Sequence, residues 1–287
     1  MKRILAALIR YTVLLIALGV MILPLLWMTW TSFKTQPQVT QSRWSLPTEP
    51  HGENYAEVFG LHEWRGTVSS IGTILRSNFT RCFLNSLWIS TVAVALSTAA
   101  AALAGFAFSR LRFRFAAPIF VLFLLGMMIP VHITLVPLVK LFGSLYPPAV
   151  LVGVYAAFAL PVSIFILRGF FRQVPVELEE AARVDGCGAW GVFWHICLPL
   201  AKPALAVVVI FNFVTIYNEF IFALVFLRKT GQKTLPIGLM DFSGPEGASD
   251  IPVKCAALVC AVIPILVVYF LAQRQIIRGL TAGAVKE

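Results

Sequence analysis

Residues 179–203 read EEAARVDGCGAWGVFWHICLPLAKP, a polar stretch that lies between two strongly apolar ones. The stretch contains a charged cluster, then two glycines around Cys187, then an apolar run that closes with Pro199 and Pro203. A lipid bilayer gives no reason to place so structured a segment between membrane-spanning helices. We therefore predict that residues 172–202, named here the polar loop, form a docking element for another component in the cytoplasm.

The composition of the chain is that of an integral membrane protein. Hydrophobic residues make up 59% and charged residues 13% of the 287 residues, against roughly 45–50% and about 25% in soluble domains. The mean hydropathy is +0.85. The net charge of +10 is typical of basic residues at the cytoplasmic ends of membrane helices. No basic face or recognition motif accompanies this charge, so we predict no nucleic-acid partner.

The five cysteines and four histidines form no pattern typical of metal ligands. There is no C-x-x-C pair, and Cys255 and Cys260 open an apolar run, where cysteine behaves as a small hydrophobe. We therefore predict no disulfide, no metal site and no catalytic residue.

Six charge-poor runs are each long enough to cross the membrane as a helix, which takes about 20 apolar residues. The first run is too long for the apolar region of a signal peptide, and no small-residue cleavage site follows it, so we predict an uncleaved helix. The sequence thus predicts an all-α, polytopic membrane protein with a single transmembrane domain over residues 1–287. The predicted spans are residues 11–33, 83–109, 115–140, 149–167, 203–227 and 255–273. Prolines predict bends in the third and fourth of them, at Pro130, Pro137 and Pro161.

Short basic segments predict the orientation. Lys2, Arg3 and Arg10 precede the first span, and residues 110–114 hold three arginines between the second and third spans. Such segments stay in the cytoplasm, which places both termini and the polar loop on that side. Segments 34–81 and 228–254 then lie outside, each as an ordinary connector or as a contact for an extracytoplasmic partner.

The first half of the polar loop is predicted to be a short helix. Pro175 suits a first helical turn, and Glu177, Glu179 and Glu180 place negative charge near the positive end of the helix. Gly186 permits the left-handed conformation that ends a helix. The segment therefore predicts a helix that turns at small residues.

A second short helix is predicted to carry the aromatic residues of the polar loop. Trp190, Phe193 and Trp194 share one side of it, Ile196 follows, and Pro199 is predicted to end it. In an alternative interpretation the loop only packs on its own membrane domain, with these rings at the membrane interface. That alternative explains the aromatic residues but not the acidic, alanine and glycine tip.

These residues resemble the EAA motif of the membrane subunits of bacterial ABC importers. The family pattern is E-A-A, three residues, G, nine residues, I, one residue and L-P. The chain has the pattern at this spacing in Glu180, Ala181, Ala182, Gly186, Ile196, Leu198 and Pro199. Asp185 agrees with the common form of the motif, and Cys187 stands where alanine is frequent, which exchanges one small residue for another.

The resemblance covers most of the chain. Residues 51–81 match least, and matching segments are residues 84–87, 105–110, 128–130, 217–220 and 279–286. Together they are similar to the six-helix permeases of the carbohydrate-uptake class, such as those of the maltose and glycerol-phosphate importers. The resemblance implies a multi-pass protein of the bacterial inner membrane.

The resemblance also implies a division of labour between chains. The polar loop would form a coupling helix in a groove of a separate ATP-hydrolysing subunit. The residues implied in that contact are Glu180, Ala181, Ala182, Asp185, Gly186 and Cys187. The chain has no G-x-x-x-x-G-K-[ST] phosphate loop, so we expect no enzyme activity here and ATP and Mg²⁺ only on the partners. Those partners would be a second, often non-identical permease, two ATP-binding subunits and an external solute-binding protein, with a sugar-like substrate.

The substrate path is predicted in the fifth span. Asn212, Thr215 and Glu219 are spaced three and four apart and share a helix face, and Asn218 is adjacent. Ionisable residues within spans usually face a cavity or the protein interior, so this face is predicted to line the pathway or to contact the partner permease. A polar contact between helices is the alternative.

Two other classes of membrane protein would have different sequence features. A secondary transporter would show internal repeats with interrupted helices in matching positions, and no clear repeat is present. Uptake that persists in ATP-depleted cells with an intact ion gradient would favour that class. A membrane protease would carry H-E-x-x-H or paired intramembrane aspartates, and the sequence has neither.

Overall fold

The structure, a computed structural model, describes residues 2–59, 69–240 and 250–284. Within these residues the regular structure is entirely helical. The chain divides into two compact units, Met1–Phe83 with Ile237–Ile263 and Leu84–Pro236 with Pro264–Glu287.

The helices follow one another with short connections. In chain order they are α1 (Lys2–Thr31), α2 (Gln36–Gln41), α3 (Glu53–Val58), α4 (Ser69–Arg110), α5 (Ala116–Met128), α6 (Leu135–Phe142), α7 (Pro147–Phe171), α8 (Val176–Val184), α9 (Ala189–Val192), α10 (Leu198–Leu200), α11 (Lys202–Tyr217), α12 (Ile221–Phe226), α13 (Leu235–Met240) and α14 (Ile251–Ala284). A 3-10 turn at Val131–Thr134 precedes α6, and a π-helical turn at Phe193–Cys197 joins α9 to α10.

Among the described residues, four helical segments are long and apolar enough to cross a membrane. They are Ala7–Thr31, Phe79–Arg110, Pro147–Phe171 and Ile251–Gln275. Two bent pairs raise the number to six if each is one span: Ala116–Met128 with Val131–Phe142, bent by 90°, and Ala189–Leu200 with Lys202–Tyr217, bent by 72°. The protein is therefore an all-helical, polytopic membrane protein with four to six candidate spans.

The predicted span at residues 115–140 is not one continuous helix. α5 ends at Met128, and the 90° break falls at Ile129 and Pro130. Ile129 is extended, with ψ 122°, because a residue that precedes proline avoids the helical conformation. The predicted bend at Pro130 is confirmed. Pro137 lies in the first turn of α6 instead, where N–H groups have no partner within the helix.

The predicted span at residues 203–227 is also interrupted, because α11 ends at Tyr217 and α12 begins at Ile221. The carboxylate of Glu219 accepts hydrogen bonds from the backbone N–H groups of Phe222 (3.0 Å) and Ala223 (3.2 Å). It thereby caps α12, and the chain starts a new helix rather than continuing α11. The span at residues 149–167, by contrast, lies within α7, which continues through Pro161.

The two segments predicted to lie outside fall partly beyond the described residues, which omit 60–68 and 241–249. Gly244, Pro245 and Gly247, residue types typical of turns, are in the second gap, and residues 285–286 of the C-terminal match also lie outside the described part. What is described of the first segment contains the short helices α2 and α3. A buried cation fixes this region, since Nζ of Lys34 donates to the carbonyl of Ser42 (3.1 Å) and to Oγ of Ser45 (3.3 Å).

The second unit has a core that joins the polar loop to α4, α5, α7 and α11. Phe106, Phe171 and Phe193 meet in it, with ring centroids 5.1 to 6.5 Å apart. Helices α4 and α7 approach closely at Gly105, where a Cβ atom would lie 3.1 Å from the backbone nitrogen of Arg168. The polar loop therefore rests directly on the ends of membrane helices.

Candidate functional site

The turn of the polar loop has the backbone geometry that the sequence predicts. Gly186 has φ +85°, in the left-handed region. The N–H of Gly186 donates to the carbonyl of Arg183 (3.0 Å), and that of Cys187 donates to the carbonyl of Ala182 (2.9 Å). This pair of bonds is the Schellman motif that ends a helix with a glycine. The predicted helix stop at Gly186 is confirmed.

A buried ion pair holds the start of α8 against the membrane helices. Nε of Arg110, at the end of α4, lies 2.7 Å from Oε1 of Glu179, and both side chains are almost fully buried. Nη2 of Arg110 also donates to the carbonyl of Phe171 (2.6 Å) and to that of Val174. One guanidinium thus ties α4, the end of α7 and α8 together, and its charge is compensated within the protein.

The thiol of Cys197 completes this buried cluster. Its Sγ donates to Oε1 of Glu179 across 3.7 Å. Burial, together with the Glu179 carboxylate, raises the pKa of the Cys197 thiol to about 11. The thiol is therefore protonated at neutral pH, which suits a donor and makes it a poor nucleophile.

The residues predicted to contact an ATPase subunit divide into an exposed tip and an inward-facing residue. Glu180, Ala181, Asp185 and Gly186 are exposed, and Cys187 is partly exposed. Ala182 is buried and belongs to the core of the second unit. Five of the six are therefore at least partly exposed, and Ala182 is the one that faces inward.

The prediction that Pro199 ends the second helix is wrong. The helix continues through Pro199 to Leu200, and the 72° bend follows at Ala201. The missing N–H of proline is accommodated because the preceding turn is widened, with the N–H of Leu198 bonded to the carbonyl of Phe193.

The three aromatic residues of the second helix form one cluster but differ in burial. The ring of Phe193 lies 6.2 Å from that of Trp190 and 5.2 Å from that of Trp194. Phe193 is buried, whereas Trp190 and Trp194 are exposed. Their predicted proximity is confirmed, and Phe193 is the residue that packs on the membrane helices.

The polar residues of the interrupted fifth span also fall into two groups. Asn212 donates to Oγ of Ser163 (2.8 Å), and Glu219 accepts a hydrogen bond from the hydroxyl of Tyr155, so both contact α7. Thr215 and Asn218 are exposed, and among the described residues their side chains bond only to carbonyls of their own helix. Asn212 and Glu219 therefore form polar contacts between helices, the alternative to lining the pathway.

Sequence patterns did not identify Arg110 and Tyr155 as functional residues, and they indicated for Glu179 only a generic role at a helix start. The signal for Arg110 was an arginine directly at the end of an apolar span with no acidic residue nearby in sequence. Its partner is 69 positions away, so only the fold identifies it. Among the described residues, no group of three His, Cys, Asp or Glu side chains could hold a metal ion.

Comparison with known proteins agrees with this architecture. Residues 97–282 match the family model described as binding-protein-dependent transport system inner membrane component. The permease protein of the diacetylchitobiose uptake system of Streptomyces coelicolor is 32% identical over 281 residues, which covers 96% of this chain and 88% of that protein. The arabinooligosaccharides transport system permease of Halalkalibacterium halodurans is 37% identical over 209 residues, 71% and 73% of the two chains.

A solved structure has the same fold. It is a bacterial ABC transporter involved in the import of the acidic polysaccharide alginate, with a TM-score of 0.78 and 22% identity over 96% of this chain and 97% of that one. The chain therefore belongs to the inner membrane component family of binding-protein-dependent transport systems. It is a multi-pass ABC transporter permease subunit of the inner membrane, and the permease is not itself the ATPase of such a system.

Proposed function

We propose that this permease forms the translocation pathway for a sugar or sugar-like solute and couples to a separate ATPase subunit through the polar loop. The carbohydrate class is supported by the relatives, whose names refer to diacetylchitobiose and arabinooligosaccharide transport. ATP and Mg²⁺ bind the partner subunits and not this chain.

The coupling role rests on one observation, an exposed tip on a rigidly anchored base. Glu180, Ala181, Asp185 and Gly186 present charge, small size and a sharp turn to the surroundings. In the same stretch, Glu179 and Ala182 are buried, Glu179 against Arg110 of α4 and Ala182 in the core of the second unit. Small side chains at a tip let another protein surface approach closely.

The anchor explains how motion of the loop would reach the membrane. Because Arg110 bonds to Glu179, Phe171 and Val174, a displacement of α8 pulls on the ends of both α4 and α7. ATP would act through different contacts with inward-facing and outward-facing states of the assembly, since a ligand shifts an equilibrium only by its differential affinity for the two states.

The proposed topology has six spans: the four continuous ones, the bent pair of α5 and α6, and the interrupted span of α11 and α12. Both termini and the polar loop are in the cytoplasm. The short basic segments support it. In this arrangement the polar loop faces the ATPase, and the segments at 34–81 and 228–254 face the solute-binding protein. A second permease, two ATP-binding subunits and that binding protein complete the transporter.

Within the membrane we propose that Thr215 and Asn218 face the pathway, because both are exposed polar residues on an interrupted span. Asn212 and Glu219 hold the same segment against α7 through their hydrogen bonds with Ser163 and Tyr155. Polar groups of this kind within a span are costly unless they are paired or face water.

The test replaces Gly186 with tryptophan in the complete transporter. The positive φ and the added bulk are expected to abolish co-purification of the ATPase subunit or to uncouple ATP hydrolysis from solute uptake. Gly52→Trp is the control, because Gly52 lies in the segment assigned to the outside and an added Cβ there meets nothing within 4 Å. If the ATPase co-purifies and uptake continues in Gly186→Trp, the polar loop is not the coupling element.

A further inference from the structure

A cavity of about 440 Å³ opens among α5, α7 and α11 in the second unit. One part of its wall is polar, formed by Arg168, Arg172 and Gln173. Apolar side chains form another part, among them Phe120 and Phe165. A site with this division suits a ligand that has an anionic head and an apolar body.

The two arginines carry uncompensated charge. They are four residues apart, so they lie one helical turn from each other at the end of α7. The guanidinium of Arg168 is 3.7 Å from the ring centroid of Phe120, and its Nε donates to the carbonyl of Phe108 (3.3 Å). In residues 2–59, 69–240 and 250–284, neither arginine forms an ion pair with a carboxylate. This differs from Arg110, whose charge is matched by Glu179.

The position of the cavity indicates which anion it would meet. Phe120 is near the start of α5, Pro203 near the start of α11 and Arg168 near the end of α7, all of which are cytoplasmic ends in the proposed topology. That is the depth of the lipid head groups, and the cytoplasmic leaflet is rich in anionic lipids that attract arginine.

The apolar wall distinguishes a lipid from a small soluble anion. Phe165 is 54% exposed and Val207 is 38% exposed, although both lie in strongly apolar helices. Each is about one turn closer to the membrane centre than the polar end of the cavity, as an acyl chain would require. We propose that this cavity binds the phosphodiester head group of an anionic phospholipid through Arg168 and Arg172, with an acyl chain along Phe165 and Val207.

The inference rests on the membrane topology proposed above but not on the coupling role of the polar loop. It adds a site that is independent of the solute and of ATP. Because Arg172 and Gln173 are the first residues of the polar loop, the bound lipid would contact the base of that loop.

The experiment measures lipid retention by the purified full transporter with native mass spectrometry after incubation with phosphatidylglycerol or phosphatidylcholine. Wild type is expected to retain phosphatidylglycerol in preference. Arg172→Gln is expected to reduce that retention about fivefold, the contribution of one basic residue near a membrane surface. Arg172→Glu should reduce it further, because the new carboxylate would pair with Arg168, and Arg172→Lys should largely restore it. Arg172 is an exposed side chain, so these variants should fold.

The control is Arg112→Gln, an exposed arginine of the α4–α5 connection that does not line the cavity. It should retain lipid like wild type. Three results would each overturn the proposal. They are equal retention of the two lipids, an equal loss of lipid in the Arg112 control, and displacement of phosphatidylglycerol by inorganic phosphate. Retention by the isolated chain that vanishes in the full transporter would also overturn it, because the second permease would then cover the cavity. An error in topology would appear separately, as labelling of Cys187 from outside the cell.

Discussion

Nε of Arg110 lies 2.7 Å from a carboxylate oxygen of Glu179, and this ion pair joins the end of a membrane helix to the first turn of α8 in the polar loop. The neighbouring Glu180 is exposed. The two consecutive glutamates therefore have different roles: Glu179 forms a buried ion pair, and Glu180 is at the surface.

Glu179→Gln is expected to destabilise the folded chain, whereas Glu180→Gln is not. Removal of one partner of a buried ion pair leaves the other charge uncompensated, which costs about 3–5 kcal/mol. An exposed substitution usually changes the free energy of unfolding by less than about 0.5 kcal/mol. The measurement is the thermal melting temperature of the purified chain in detergent. Equal melting temperatures for the two variants would show that the ion pair does not anchor the loop.

The adjacent alanines Ala181 and Ala182 provide a second matched pair. Ala182→Leu inserts three carbon atoms into a filled core and is expected to cost about 1–3 kcal/mol, because Ala182 is buried. Ala181→Leu should leave the melting temperature unchanged but weaken co-purification of the ATPase subunit, since Ala181 is at the exposed tip. Undiminished ATPase binding by Ala181→Leu would argue against the tip as a contact surface.

The sequence predicted the polar loop well because its determinants are local. The helix stop at Gly186 follows from the conformational freedom of glycine, and the left-handed φ of +85° is what the structure contains. The choice between Glu179 and Glu180 did not follow, because it depends on Arg110, far away in the chain. The prediction that Pro199 ends the helix was wrong, because a π-helical turn at Phe193–Cys197 precedes it and the helix continues through Pro199. No short sequence pattern predicts such a turn.

The membrane helices show the same limit. A charge-free run gives the length of a span but not its continuity, and two predicted spans are broken at Pro130 and at residues 218–220. The second break depends on the carboxylate of Glu219, which accepts two backbone N–H groups of α12 as well as the hydroxyl of Tyr155. Spacing placed Glu219 on a helix face, but only the tertiary contacts show that it caps the next helix.

Glu219→Ala is expected to lower stability more than Tyr155→Phe. The alanine removes the cap of α12 and leaves the Tyr155 hydroxyl without its acceptor, at a cost of about 1–3 kcal/mol, whereas loss of the hydroxyl alone costs about 1 kcal/mol. Melting temperatures of the two purified variants test this order. An unchanged melting temperature in Glu219→Ala would contradict the capping role.

Asn218→Ala tests the pathway at the same break. Within the part of the chain that the structure describes, the side chain of Asn218 bonds only to the carbonyl of Val214 in its own helix. Assembly should therefore be normal, and solute uptake should fall if Asn218 faces the pathway. Unchanged uptake in Asn218→Ala would remove this residue from the pathway.

Unchanged uptake with normal assembly in Glu219→Ala would likewise remove Glu219 from the transport mechanism.

The native cysteines can show directly whether the polar loop docks on the ATPase subunit. Cys82, Cys197, Cys255 and Cys260 are buried, and Cys187 at the tip of the polar loop is partly exposed. A maleimide should therefore modify the isolated chain at Cys187 alone. In the transporter assembled with its ATPase subunit, the same reaction should be strongly suppressed, as measured by mass spectrometry of the modified peptide. Equal modification of Cys187 with and without the ATPase subunit would contradict the claim that the polar loop docks there.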